Sequence, residues 1–326
     1  MAPAAYAGLN IMSPDPQGEE GYPLIWKGEI EGGIRPVVHE RQANWPCFRI
    51  GGYGELHNFE IEGANHKGVA LDNLTYAMIT NCVIHNNTQS GIQQGGGSPH
   101  VTIVDCNIYS NSGGINCLVL YGTNLISGNK IWGNTPSSGG NVYVGTANNG
   151  ANDTLTIRNN LIYDNTSAGI YISAVYCDED DTDTVNIYNN TIYNNGQDGI
   201  YCNADANGVA GVNVVNNITA GHNGTYDGMD SLNAITITYC DMDDDTGANV
   251  TEGTGCIDED PQFVDEANCD FRLNKASPCV NAGDPGTTTN QVGTLDYWGN
   301  PRFVGIIDIG AYELPSLPQR TFITIY

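Results

Sequence analysis

The chain has 326 residues, with 37 acidic against 11 basic side chains and a formal net charge of −26. A field of that sign repels nucleic acid and anionic membranes, and it repels polyanionic polysaccharides such as pectin or alginate unless bound calcium intervenes. No apolar run reaches the ~20 residues that cross a bilayer, the start Met1–Gly8 lacks the charged and apolar regions of a secretory leader, and 40% hydrophobic residues argue for a folded chain despite 41 glycines.

Residues 1–50 carry no clear repeat and are punctuated by Pro14, Pro16 and Pro23. Phe48–Ile50 and the run from Ile25 to Ile34 read as strands of an irregular first coil. An open end of stacked strands exposes unpaired backbone, so this segment is expected to cap it.

From residue 51 to about 230 one phrase recurs. Leu155-Thr-Ile157-Arg-Asn-Asn160-Leu-Ile162-Tyr163, followed by Gly169-Ile170-Tyr171, returns as Val185-Asn-Ile187-Tyr-Asn-Asn190-Thr-Ile192-Tyr193 and Gly199-Ile200-Tyr201. With the second isoleucine as anchor it also sits at Ile61, Ile84, Ile108 and Ile131, and more loosely at Thr219, in steps of 23, 24, 23, 31, 30 and 27 residues. Each unit holds three short apolar–polar alternations, the period of strands. Between them there is no helical pattern of the kind a conventional parallel sheet uses for its crossovers. Units this short bury a core by stacking on one another. The chain is read as an all-β parallel β-helix, one domain, with coils of about 23–31 residues laid on each other at roughly 4.8 Å.

The columns of the coil follow. Ile61, Ile84, Ile108, Ile131, Ile162 and Ile192 point inward. Phe59, Cys82, Cys106, Asn129, Asn160, Asn190 and Asn217 form one column, and Ala64, Asn87, Asn111, Asn134, Asn165 and Asn195 another. Asparagine tolerates the left-handed backbone of a sharp bend, and stacked amides can hydrogen-bond along the axis. Both properties are expected of these columns.

Several groups can carry chemistry. Glu60 and Glu62 lie two apart on one strand face, about 7 Å from each other by strand geometry, a separation that suits the carboxylate pair of glycoside hydrolysis. His85 follows one coil on, and Lys67 sits in a bend at the entrance to the next strand. The alternative is a solvated polar face. Two outward aromatic columns, Tyr109–Trp132–Tyr163–Tyr193 and Tyr143–Tyr171–Tyr201, can stack on sugar faces, or can pair across strands to stabilise the coil or meet a partner. Longer steps place insertions at 145–153 and 174–183, and the run 177–183 holds five acids in seven residues.

Beyond Ser231 the repeat fades. Asp241, Asp243, Asp245, Asn249 and Glu252 match positions 1, 3, 5, 9 and 12 of a calcium loop, but the glycine is Gly247, one place late, and no helices flank it. Calcium is the one cofactor this suggests. Cys240, Cys256, Cys269 and Cys279 are spaced for possible pairing in an oxidising compartment. Asp258-Glu-Asp-Pro261-Gln-Phe263-Val-Asp265, Phe271-Arg-Leu273, Ser277-Pro278-Cys-Val-Asn281-Ala-Gly283-Asp284-Pro285 and Asp308-Ile-Gly-Ala-Tyr-Glu313 resemble the closing segment of right-handed parallel β-helix proteins of the pectate-lyase-like superfamily. With the repeats, the resemblance covers most of residues 51–313. It implies a right-handed coil, in keeping with the usual handedness of parallel crossovers, and it spans lyases, glycoside hydrolases, surface proteins and phage tail proteins. Lyases of that superfamily abstract a proton from a uronic acid with Lys or Arg, and no such pair stands on adjacent coils here.

Residues 231–314 are thus expected to form closing coils, and 315–326 a tail. Phe322, Ile323 and Ile325 in that tail form a short β-rich run without acids, suited to adding a strand to another chain. The expectation from sequence is a non-enzymatic assembly protein, such as a virion fibre, spike or decoration protein or a cell-surface rod. It would be extracellular or on a virion surface, a homo-oligomer or part of a larger assembly, touching glycans through its tyrosine face. The alternative is a secreted polysaccharide lyase or glycoside hydrolase.

Overall fold

Alternating side chains and parallel pairing produce a solenoid. The computed structural model describes residues 24–39, 45–95, 98–136, 140–146, 153–173, 183–203, 211–222, 226–242 and 246–315. One sheet consists of nine short parallel strands, one per coil: Val37–His39, Glu60–Glu62, Val83–His85, Asn107–Tyr109, Lys130–Trp132, Leu161–Tyr163, Thr191–Tyr193, Ile218–Ala220 and Asp241–Met242. Its register pairs Ile61 with Ile84, Ile84 with Ile108, and so on through Ile131, Ile162, Ile192 and Thr219. All seven of those side chains are fully buried. The expected all-β parallel coil and its inward column are therefore present.

Most of the other strands form a 15-stranded sheet that covers two faces. The long strand Val69–Thr80 joins them, pairing with Ser90–Gly95 through its first half and with Val101–Val104 through its second. The Gly-Ile step of the repeat has a steric cause. A Cβ on Gly169 would stand 2.6 Å from Ile192 Cγ2 and 2.7 Å from the Gly199 carbonyl, so only glycine fits where this strand crosses the core.

The asparagine columns hold one expectation and correct another. Buried amides do form ladders: Asn129 to Asn160 to Asn190 to Asn217 at 2.9–3.0 Å, and Asn87 to Asn111 to Asn134 to Asn165 to Asn195 at 2.8–3.2 Å. The first ladder ends on Cys240, whose sulfur lies 3.4 Å from the Asn217 N–H, and the second on His222 Nδ1. The left-handed residues, however, are the neighbours one place earlier or nearby: Asn58, Asn81, Asp105, Asn159, Asn189 and Asn216 at one bend, and Asn86, Ser110, Asp164 and Asn194 at the other. The ladder asparagines keep ordinary backbone and use their side chains inward.

Residues 24–39 supply the first coil, with Leu24–Lys27 pairing with the strand Phe48–His57 and Val37–His39 with Glu60–Glu62. At the other end, Ile235–Ile237 and Val250–Glu252 continue the stack. Residues 258–313 then leave it. Their antiparallel strands Phe263–Asp265 and Asp270–Leu273 bring Phe263, Phe271 and Leu273 with Cys279, Ile309, Ala311 and Tyr312 onto Leu161, Tyr163, Ile218 and Ala220. The segment lies along the flank of the late coils and does not extend the coil.

Its docking uses the left-handed asparagines. Asn159 donates to the Val292 carbonyl, Asn189 to the carbonyls of Asp308 and Gly310, and the Asn216 oxygen accepts the Asp284 N–H. Arg302, fully buried, donates to the carbonyls of Gly310, Ala311 and Tyr312 and to Asn159 Oδ1. Gly310 has φ 94° and would place a Cβ 2.6 Å from Ile218 Cδ1, so this contact also requires glycine. Cys240, Cys256, Cys269 and Cys279 stand as free thiols in this structure. Cys240 faces backbone carbonyls in the core and Cys279 donates to the Asp241 carboxylate at 2.8 Å.

Candidate functional site

On the outer side of the short-strand sheet, alternation sends Ile61 inward and both Glu60 and Glu62 outward. Register sets His39 on one side of Glu62 and His85 on the other. His85 Nε2 lies 3.0 Å from Glu60 Oε1 and 3.5 Å from Glu62 Oε2, and His39 Nδ1 lies 3.3 Å from Glu62 Oε1. One ligand atom from each of Glu60, Glu62 and His85 falls within 4.8 Å of the others. His85 is 5% exposed and its ring is capped by Tyr109, with centroids 4.7 Å apart and planes at 2°.

Three residues singled out from sequence are thus brought together, in an arrangement different from the one expected. The imidazole fills the space between the carboxylates, where a glycosidase pair leaves room for its substrate. Lys67 does not join them: it forms no ion pair among the described residues, and its carbonyl accepts the Cys47 N–H. His39 escaped the sequence reading because the first coil lacks the repeat phrase that fixes register.

The outward rings stack mainly on one another. His85, Tyr109, Trp132 and Tyr163 follow at centroid distances of 4.7, 4.7 and 6.1 Å with planes within 16°. Lys130 lies 5.6 Å from the Trp132 centroid and 5.4 Å from that of Tyr163, and Trp132 Nε1 donates to Asn107 Oδ1. Phe271 covers both Tyr163 and Tyr193. Burial, followed by the nearby Cys269, pushes the Tyr163 hydroxyl well above its usual range. The second column stacks Tyr143 on Tyr171 at 5.4 Å and Tyr171 on Tyr201 at 5.1 Å. Ring faces inside such a stack are covered, and a sugar can use only a ring at its end.

Tyr143 is such an end. One coil below, its register partner is Asn116 and not a ring. A cavity of about 260 Å³ opens there, lined by Thr88, Ser90, Ser112, Gly113, Asn116 and Tyr143 among others. Among the described residues the Asn116 side-chain oxygen is buried without a hydrogen-bond partner, a state that buried polar atoms rarely keep. Asn116 escaped the sequence reading because its coil, Gly114-Ile115-Asn116, carries no tyrosine to mark the column.

The acidic loop is described only in part. Asp243 and Asp245 lie outside the described residues. Asp241 is fully buried in the short-strand sheet, accepting from the Glu259 N–H and from the Cys279 thiol. Burial first, and then the Asp241 charge, pushes that thiol far above its usual range. Asn249 donates to the Ser231 and Leu232 carbonyls, and Glu252 accepts from Thr246. Asp241, Asn249 and Glu252 therefore have separate partners. Of the run 177–183 only Asp183 is described, and its carboxylate accepts the Asp153 N–H. Phe322, Ile323 and Ile325 lie outside the described residues.

Comparison with known proteins agrees on architecture. The family model described as right handed beta helix region matches residues 50–177. No curated protein sequence matches the chain. Among solved structures, the crystal structure of pectate lyase Pel9A aligns with a TM-score of 0.57 at 14% identity, over 92% of this chain and 82% of that one. Identity at that level carries the fold, and a fold of this kind hosts many functions. With nine parallel strands in register along one face and the family match over its early coils, the chain folds as a right-handed parallel β-helix.

Proposed function

We propose that the protein is a glycan-binding β-helix that holds a sugar chain at the Tyr143 cavity. The observation that supports this most is the wall composition: the terminal ring of a tyrosine stack beside hydroxyl, amide and glycine groups. That is the chemistry a sugar ring requires, an apolar face against a ring and hydroxyls against polar atoms. A sugar hydroxyl would also give the Asn116 oxygen the donor it lacks. The net charge of −26 favours neutral glycans over polyuronates. A rigid rod with such a site suits a surface or assembly role outside the cell, where polysaccharide is met.

Affinity electrophoresis in gels cast with neutral polysaccharides tests the reading. Tyr143→Ala and Asn116→Ala should each weaken retardation at least about tenfold, roughly 1.4 kcal/mol. Tyr201→Ala, at the far end of the same stack, should leave it unchanged. Equal retardation in all four proteins would overturn the site.

A second reading, a polysaccharide lyase, draws on the fold shared with a pectate lyase and on the Glu60–Glu62–His85 group. Unsaturated sugar ends accumulating from pectate or alginate, and lost in Glu60→Gln, would favour it over the binding role.

A further inference from the structure

We propose that Glu60, Glu62 and His85 bind a divalent transition-metal ion of the zinc, manganese or cobalt class. This site is independent of the Tyr143 cavity and does not rest on the glycan reading.

Spacing is the first argument. An ion bound at about 2.1 Å by four tetrahedral ligands sets neighbouring ligand atoms about 3.4 Å apart. His85 Nε2 stands 3.0 and 3.5 Å from the two glutamate oxygens, close to that edge already. Among the described residues this is the group of three metal-ligating side chains that converges.

Charge is the second. Glu60 and Glu62 share one strand face, and among the described residues their ion pairs are with imidazoles. The pair stands on a chain of net charge −26, and a divalent ion adds positive charge between the two carboxylates.

Preorganisation is the third. His85 is 5% exposed and held flat against Tyr109. Its Nδ1 lies 2.8 Å from the Asn86 amide nitrogen. Amide oxygen and nitrogen exchange places on a half-turn of that group. Nδ1–H then donates to the Asn86 oxygen, and the Nε2 lone pair is left for the ion. A second hydrogen bond of this kind fixes the tautomer and orientation of metal-bound histidines. One imidazole beside two carboxylates suits zinc, manganese or cobalt, whereas calcium takes oxygen ligands.

Cobalt(II) titration of the 326-residue chain, followed by visible absorption and calorimetry, tests the proposal, with zinc as competitor. One equivalent should bind with ligand-field bands and without the strong near-ultraviolet band of a cobalt–thiolate bond, which excludes the free cysteines as ligands. The double variant Glu60→Gln/Glu62→Gln changes two half-exposed side chains and should keep the coil by circular dichroism while weakening cobalt at least about tenfold. His85→Gln should weaken it likewise. Because His85 is buried, the double variant decides if His85→Gln fails to fold. Absence of a stoichiometric site, a thiolate band, or undiminished affinity in the folded double variant would overturn the assignment.

Discussion

Asn160 uses every hydrogen-bonding position of its amide. It donates to the Ile126 carbonyl and to Asn190 Oδ1, and its oxygen accepts from both nitrogens of Asn129. Asn160→Ala therefore strands the Asn129 N–H and the Ile126 carbonyl in a buried column. At about 1–3 kcal/mol for each unsatisfied group, the variant should lose several kcal/mol, read as a lower denaturation midpoint in urea with an unchanged slope. A loss below about 1 kcal/mol would show that water repairs the gap. The ladders were legible in the sequence because the asparagines recur at the repeat step. Which of two adjacent asparagines turns the bend was not. Asn159–Asn160, Asn189–Asn190 and Asn216–Asn217 are chemically identical pairs, and only three-dimensional register gives the first member its positive φ. Glu62 and His85 were legible as neighbours for the same reason, being placed one residue after consecutive anchors.

At the scale of the element, the flanking segment 258–313 was recognisable by its motifs but not by its position. Its Phe263, Phe271 and Tyr312 follow no coil period. Nothing in the sequence says which outward tyrosines they cover, and they cover Tyr163 and Tyr193. The segment carries a buried charged group: Arg302 3.6 Å from Glu313, with Asp296 and Asp308 nearby. Burial, and then the Asp308 charge, pushes the Glu313 carboxyl up to about 8 from an ordinary 4.5. Between those values the folded chain keeps a proton that the unfolded chain has released. Stability from this group is thus full below the ordinary value and falls as pH rises towards about 8, then levels. Asp308, raised by burial, adds in the same direction. Hydrogen exchange of residues 258–313 should accelerate on going from mildly acidic to mildly alkaline buffer, after correction for intrinsic rates. Glu313→Gln should flatten that trend. A profile with the same slope in both proteins would show that Glu313 is ionised throughout.

Across the whole molecule, the two faces of the rod differ in what they leave open. The short-strand face is a polar and aromatic strip over its early coils, with His39, Glu60, Glu62 and His85 at one end, and is covered by the flanking segment over its late coils. The adjoining face ends its tyrosine stack at an open cavity. The coil itself was legible from period alone. The division into open and covered halves was not, because it depends on where a non-repeating segment lands.

The ladders also bear on how such a rod can change in length. Each coil from that of Ile84 to that of Ile192 presents an amide oxygen to the coil before it and, up to Asn195, an amide nitrogen to the coil after it. A tandem duplication of one unit can therefore be spliced in without losing a bond, lengthening the rod by about 4.8 Å. Where it falls decides the outcome. Duplicating residues 112–134 adds a coil ahead of Asn159, Asn189 and Asn216, and the flanking segment travels with its docking strip intact. Duplicating residues 166–195 drives Asn159 and Asn216 one coil further apart, and a segment fitted to both can no longer reach them. The first variant should resist protease as the parent does, and the second should be cut within residues 258–313. Equal resistance would show that the segment is held by its apolar contacts alone. Growth by repeat duplication is then confined to the early coils, with the late coils fixed in number by what is fastened to them.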